Sequence, residues 1–146
     1  MNKSSDTIWI INGPNLNLLG SRQTDIYGDQ SFEQFFEELK GKYPNQNLAY
    51  FQSNLEGELV DLIQKARKEA KAVILNAAAY SHTSIAIADA VAAIDISVVG
   101  IHISNIYQRE EERHTDLLAK YCKAFLFGFG LKGYELALNY LVENDD

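Results

Sequence analysis

The chain has 146 residues, 47% of them hydrophobic, and a formal net charge of −7. That length suits a single domain over 1–146, and the acidic balance argues against a general nucleic-acid binder, whose footprint is basic. No apolar run is long enough to cross a bilayer, no signal-peptide apolar core opens the chain, and the single cysteine, Cys122, rules out an internal disulfide. A reducing, cytoplasmic setting is therefore expected. An anionic small molecule stays open as a partner, because local arginines can oppose the overall sign.

Residues 1–5 and 143–146 read as frayed ends. The first strand is expected over 7–11, with Ile8, Trp9, Ile10 and Ile11 as its apolar body. It runs into Asn12, Gly13, Pro14 and Asn15, then an apolar patch (Leu16, Leu18, Leu19) and a polar stretch with Ser21, Arg22, Asp25 and Tyr27. A strand-to-helix connection this long is unusual and more often functional than incidental. Its glycines, Gly20 and Gly28, suit a mobile active-site loop over 20–28.

Helical spacing over 31–42 puts Phe32, Phe35, Phe36 and Leu39 on one face, and Tyr43, Pro44 and Asn45 break it. A second strand is predicted over 47–52 and an amphipathic helix over 56–71, with Leu59, Leu62, Ile63 and Ala66 as its stripe. Lysines crowd the last turns of that helix, where the dipole favours them. Further strands are predicted over 72–75, 97–101 and 123–127, helices over 83–94 and 131–142, and a short helical stretch over 109–120. Alternating elements, with strands that lack a polar face, predict a parallel sheet covered on both sides. Five strands suggest an α/β, flavodoxin-like doubly wound fold with order 2-1-3-4-5.

Ligands of such sheets bind beyond the carboxyl ends of the strands. Asn12 and Asn15 follow the first strand, Ser53 and Asn54 the second, Asn76 and His82 the third, and His102, Ser104 and Asn105 the fourth. Two of three histidines thus share the ligand side. Each alone fits a structural role; their company with Arg22 and Tyr27 favours chemistry. Two histidines without a cysteine or carboxylate set make a poor zinc site. No Walker-type or G-x-G-x-x-G loop is present, and S-H-T-S at 81–84 lacks the glycines of a nucleophile elbow. Lys71 and Lys123 fall at the wrong strand ends for a Schiff base, and Lys132 follows the last strand on a helix. Cys122 reads as a small buried hydrophobe rather than a nucleophile. Arg109 and Arg113 would share a helix face and could flank an anion, although Glu110, Glu111 and Glu112 favour a solvated face that neutralises them. Asp89 is isolated in an alanine-rich helix, which suits either a subunit interface or an exposed edge.

Taken together, these motifs resemble the type II 3-dehydroquinate dehydratases, the type II dehydroquinases. The likeness spans nearly the whole chain. It is carried by N-G-P-N-L-N-L-L-G at 12–20, I-Y-G at 26–28, Q-S-N-x-E-G-E-L at 52–59 and N-A-A-A-Y-S-H-T-S at 76–84. H-I-S-N-I at 102–106, R-E-E-x-R-H at 109–114 and G-F-G-x-x-G-Y at 128–134 complete it.

The resemblance implies dehydration of 3-dehydroquinate to 3-dehydroshikimate with no metal or organic cofactor. It implies Tyr27 as general base, Arg22 as its activator, His102 as general acid, and Asn15 as holder of a water against the enolate oxygen. Asn76, His82, Ile103, Ser104 and Arg113 would bind substrate. Asp89 would reach in from a neighbouring subunit of trimers packed into a dodecamer. The chain departs from the family pattern at Gly100, where glutamate is usual beside the catalytic histidine, at Leu55 for a common histidine, and at Glu112 for a common phenylalanine. Gly100 motivates a rival reading, a non-catalytic homologue that binds a small carboxylate or serves as a scaffold. A flavin or nucleotide binder of the same fold is a third.

The chemistry is feasible on electrostatic grounds. A free tyrosine titrates at about 10, and lowering that by about two units takes roughly 2.7 kcal/mol. A cation about 4 Å away supplies on the order of 4 kcal/mol at an effective dielectric near 20. One arginine therefore suffices, and unlike lysine it cannot itself lose the proton.

Overall fold

The structure is a computed structural model and describes residues 6–21, 25 and 29–144. Five parallel strands lie in the order 2-1-3-4-5: β1 (Thr7–Asn12), β2 (Asn47–Gln52), β3 (Ala72–Asn76), β4 (Ser97–His102) and β5 (Ala124–Phe127). Among the described residues four helices cover them: α1 (Phe32–Lys42), α2 (Glu56–Glu69), α3 (Ile85–Ala93) and α4 (Lys132–Glu143). This is the doubly wound architecture expected from the alternation of elements.

Strand β1 shows why the sheet is buried on both faces. Ile8 and Ile10 pack with Phe32, Phe35, Phe36 and Leu39 of α1 and with Tyr134, Ala137, Leu138 and Leu141 of α4. Trp9 and Ile11 point the other way, to Leu59, Ile63 and Ala66 of α2 and Ile87 and Val91 of α3. A period of two in a continuously apolar strand demands two cores.

Local chemistry sets the helix ends. The Ser31 hydroxyl accepts from the Gln34 N–H at 3.1 Å while the Gln34 side chain accepts from the Ser31 N–H at 3.0 Å, a capping box that starts α1. Helix α3 begins two residues after the expected start because Ser84 is its N-cap, accepting from the Ile87 N–H at 2.9 Å. Helix α2 stops at Glu69, short of the predicted end, because the Lys71 N–H turns to the Thr7 carbonyl at 2.9 Å and joins the sheet.

The short helix predicted over 109–120 is absent. Its place is taken by single 3-10 turns, Glu111–Arg113 and Ala119–Tyr121. Two side chains divert the backbone bonds: His114 donates from Nε2 to the Arg109 carbonyl at 2.9 Å, and Asp116 Oδ1 accepts from the N–H groups of Leu118 and Ala119.

At the carboxyl ends of β1 and β3, the fully buried Tyr134 hydroxyl donates to Asn12 Oδ1 at 2.7 Å and accepts from Asn76 Nδ2 at 2.9 Å. Burial, the larger influence, pushes the Tyr134 phenol far above its ordinary value, so it stays neutral. Gly13 N–H donates to the Asn76 carbonyl at 2.7 Å, and a Cβ at Gly13 would lie 2.5 Å from the Ala77 oxygen, so only glycine fits. Tyr134→Phe removes both side-chain bonds and leaves two buried amides underpartnered. It should cost about 1–3 kcal/mol in urea unfolding; a loss below about 0.5 kcal/mol would mean that the tie is energetically idle.

Candidate active site

A pocket opens beyond the carboxyl ends of β1, β3 and β4, where the chain winds to opposite sides of the sheet. One wall is Pro14, Asn15 and Leu16. A second is Asn76, Ala78, Ala79 and His82. The third is His102, Ile103 and Ser104, with Arg109 and Arg113 closing the rim. Of the substrate-contact and catalytic residues named from the sequence, Asn15, Asn76, His82, His102, Ile103, Ser104 and Arg113 are brought together here. Arg22 and Tyr27 lie outside the described residues, as does most of the loop expected to be mobile over 20–28. Asp89 is exposed on α3 and does not line this pocket.

Backbone geometry aims several of these groups. Asn15 sits in the left-handed region at φ 71°, and its N–H donates to Asn54 Oδ1 at 2.9 Å. Asparagine tolerates that conformation better than most residues. Ala78 has φ 54°, and its N–H donates to Asn76 Oδ1 at 3.1 Å. The Asn76 amide is thus held between Tyr134 and Ala78, while each of its polar atoms keeps capacity for one further bond. The Ile103 carbonyl is occupied by the Gly130 N–H at 2.9 Å.

The two histidines stack with ring centroids 5.2 Å apart and planes 14° from parallel. His82 Nδ1 lies 2.8 Å from the Thr115 carbonyl, so Nδ1 carries hydrogen and Nε2 is left as the acceptor of the neutral ring. His102 Nε2 lies 2.6 Å from Asp116 Oδ2 and 3.2 Å from Ser81 Oγ. Asp116 and Ser81 were not anticipated from the sequence. Asp116 lies in an irregular loop, with no periodicity to mark it.

Arg109 also joins the pocket, its Nη1 donating to Ser104 Oγ at 3.0 Å. Arg113 Nε pairs with Glu110 Oε1 at 3.2 Å. Both arginines reach the pocket although they share no helix. Among the described lining residues there are two guanidiniums and two imidazoles but no carboxylate, a charge pattern that suits an anion despite the acidic chain.

Other candidate chemistry falls away. Ser84 is spent on capping α3 and on donating to Glu56 Oε2. Burial, reinforced by the Asp116 charge, pushes the Cys122 thiol up to about 12, and the thiol donates to the Leu118 carbonyl, so it is inert as a nucleophile. Lys71 and Lys123 line a cleft at the amino ends of the strands, with Ile8, Ala72 and Ser97. Among the described residues no cluster of three metal-ligating side chains occurs, and no helix is long and apolar enough to cross a membrane.

This fold is shared by a known class of proteins. The family described as "Dehydroquinase class II" matches residues 6–142, and the chain belongs to it. A 3-dehydroquinate dehydratase from Campylobacter lari is 49% identical over 133 residues, covering 90% of this chain and 83% of that one. The crystal structure of a type II dehydroquinase from Butyrivibrio crossotus superposes with a TM-score of 0.90 at 39% identity, covering 94% of this chain and 98% of the other. That of a type II dehydroquinase from Propionibacterium acnes gives 0.89 at 36% identity, covering 98% and 100%.

The His82 imidazole is held below its ordinary value, chiefly by burial and further by neighbouring His102 and Arg113, against the opposing pull of its bond to Thr115 and the Asp116 charge. NMR titration should place its midpoint below about 6.5. Because the folded value is the depressed one, the stabilisation is present above the unfolded value and is lost as pH falls through the folded value. A midpoint above that of a free histidine would contradict this environment.

Proposed function

We propose that this protein dehydrates 3-dehydroquinate to 3-dehydroshikimate by anti elimination through an enolate. The observation that carries the reading is a histidine with a carboxylate partner, His102, in a pocket whose other charged groups are guanidiniums. Family membership supplies the substrate.

Such an elimination needs a base, an enolate stabiliser and an acid for the leaving group. Tyr27, as phenolate, takes a proton from the carbon beside the ketone, and the C–H electron pair moves into the enolate. Arg22 keeps that phenol ionised and stabilises the transition state. Asn15 holds a water against the enolate oxygen. The enolate then collapses, the β C–O bond breaks, and His102 gives the departing hydroxyl its proton, so that water leaves. One proton is taken by Tyr27 and one is given up by His102, and no oxidation occurs, which is why no metal or organic cofactor is required. Asn76, His82, Ile103, Ser104 and Arg113 bind the substrate, Arg113 through its hydroxyls or carboxylate.

The assembly belongs to the same proposal. Exposed Asp89 lies on the same helix as Ile85, which is 69% exposed. An exposed isoleucine beside small alanines suits close packing against a second subunit, from which Asp89 would reach a neighbour's site. Trimers packed into a dodecamer, in the cytoplasm, are the arrangement we expect.

The rival reading, a non-catalytic carboxylate binder, takes its motive from Gly100. The carboxylate of Asp116 on His102 weakens that motive.

Purified protein given 3-dehydroquinate should produce an enone absorbing in the ultraviolet, undiminished by a metal chelator. Tyr27→Phe should nearly abolish turnover, and binding without turnover in the parent protein would favour the rival. Arg113→Ala removes a charged anchor and should raise KM by roughly 10- to 100-fold; an unchanged KM would take Arg113 out of the binding site.

A further inference from the structure

We propose that Asp116 is the positioning residue for His102, supplying from the loop after β4 the carboxylate that the resemblance leads one to expect at position 100. The proposal rests on the dehydratase reading for its catalytic consequence. Its geometry stands on the following observations.

Position 100 cannot easily hold a longer side chain here. A Cβ on Gly100 would lie 3.1 Å from Cys122 Sγ and 3.1 Å from Phe125 Cδ1. Phe125 in turn stands edge-on to the His102 ring, with centroids 5.8 Å apart at 80°. The space is filled by a thiol and an aromatic ring, and the carboxylate arrives by another route.

Asp116 and His102 are both nearly inaccessible, with side chains 6% and 7% exposed, and Nε2 meets Oδ2 at 2.6 Å. The other carboxylate oxygen is fixed by two backbone donors, Leu118 N–H at 2.8 Å and Ala119 N–H at 2.9 Å. The carboxylate therefore has little freedom to turn. The second neighbour of Nε2 is Ser81 Oγ, whose own hydrogen goes to the Ala78 carbonyl at 2.7 Å. Both groups facing Nε2 are thus acceptors, which obliges Nε2 to carry hydrogen. The neutral ring is left with its lone pair on Nδ1. Once protonated, the ring offers Nδ1–H, the proton that a departing hydroxyl can take. Without Asp116 the choice between tautomers is no longer enforced and the cation loses its buried counter-charge.

Asp116→Asn keeps the oxygen that Leu118 and Ala119 hold but presents an amide N–H to Nε2. In the parent protein, 15N NMR of the neutral His102 ring should show the Nε2–H tautomer. In Asp116→Asn the Nδ1–H form should appear, kcat should fall by about 10²-fold or more, and KM should change less than about 3-fold, with the thermal midpoint little altered. An Nδ1–H tautomer in the parent, or an unchanged tautomer and kcat in the variant, overturns the proposal. Absence of dehydratase activity in the parent overturns the functional reading instead, and the parent's tautomer still decides the pairing.

Discussion

Asn12 and Asn76 end two adjacent parallel strands with amides that bulk water does not reach, and the Tyr134 hydroxyl of α4 joins them. Burying a polar group without a hydrogen bond is costly, and this bridge partners Asn12 Oδ1 and Asn76 Nδ2 where β1 and β3 end. It anchors the loops that leave those strands, one carrying Asn15 and the other Ala78, Ser81 and His82. It also ties the last helix to the first strand, 122 residues apart. Phe32 packs edge-on to the same tyrosine at 4.9 Å, so the apolar core on that face and the polar floor of the pocket meet at one ring.

Above that floor the chain is irregular, and side chains replace backbone periodicity as the organising force. His114 closes the turn from Arg109, and Asp116 closes the next one. The Leu117 N–H reaches the Ser81 carbonyl at 2.7 Å, and His82 donates to the Thr115 carbonyl. Segments after β3 and after β4 are thereby locked to each other. The two arginines face the pocket because of these contacts and not because of helical spacing. No carboxylate lines the pocket among the described residues, and Glu110 pairs with Arg113 from outside the lining.

With Asp116 positioning His102 as proposed, the site would keep a function while changing the residue that supports it. What an imidazole requires is an acceptor on one nitrogen at a fixed distance. The acceptor's place in the chain is immaterial. Here the strand position is a glycine whose space Cys122 and Phe125 occupy, and the acceptor comes from a loop 14 residues further along. Cys122 takes part as packing material, in keeping with a thiol that burial holds protonated.

The alternation of apolar runs with amphipathic segments was enough to establish the layered sheet, because a strand such as 7–12 with no polar face must be covered twice, and five such strands suggested the order 2-1-3-4-5 that the structure shows. Ser31 marked the start of α1 for a local reason, the hydrogen bonds of the first turn, whereas the start of α3 at Ser84 fell two residues after the expected one. Clustering of amides and histidines after strands marked the ligand side, and the long motifs named the family. Three features were decided only by tertiary structure: the loss of the helix over 109–120, the entry of Arg109 into the pocket and the pairing of Asp116 with His102. Each depends on a partner distant in sequence or on a side chain outcompeting a backbone bond. Periodicity reports neither, since it records only which faces are apolar and not which buried polar groups must find one another.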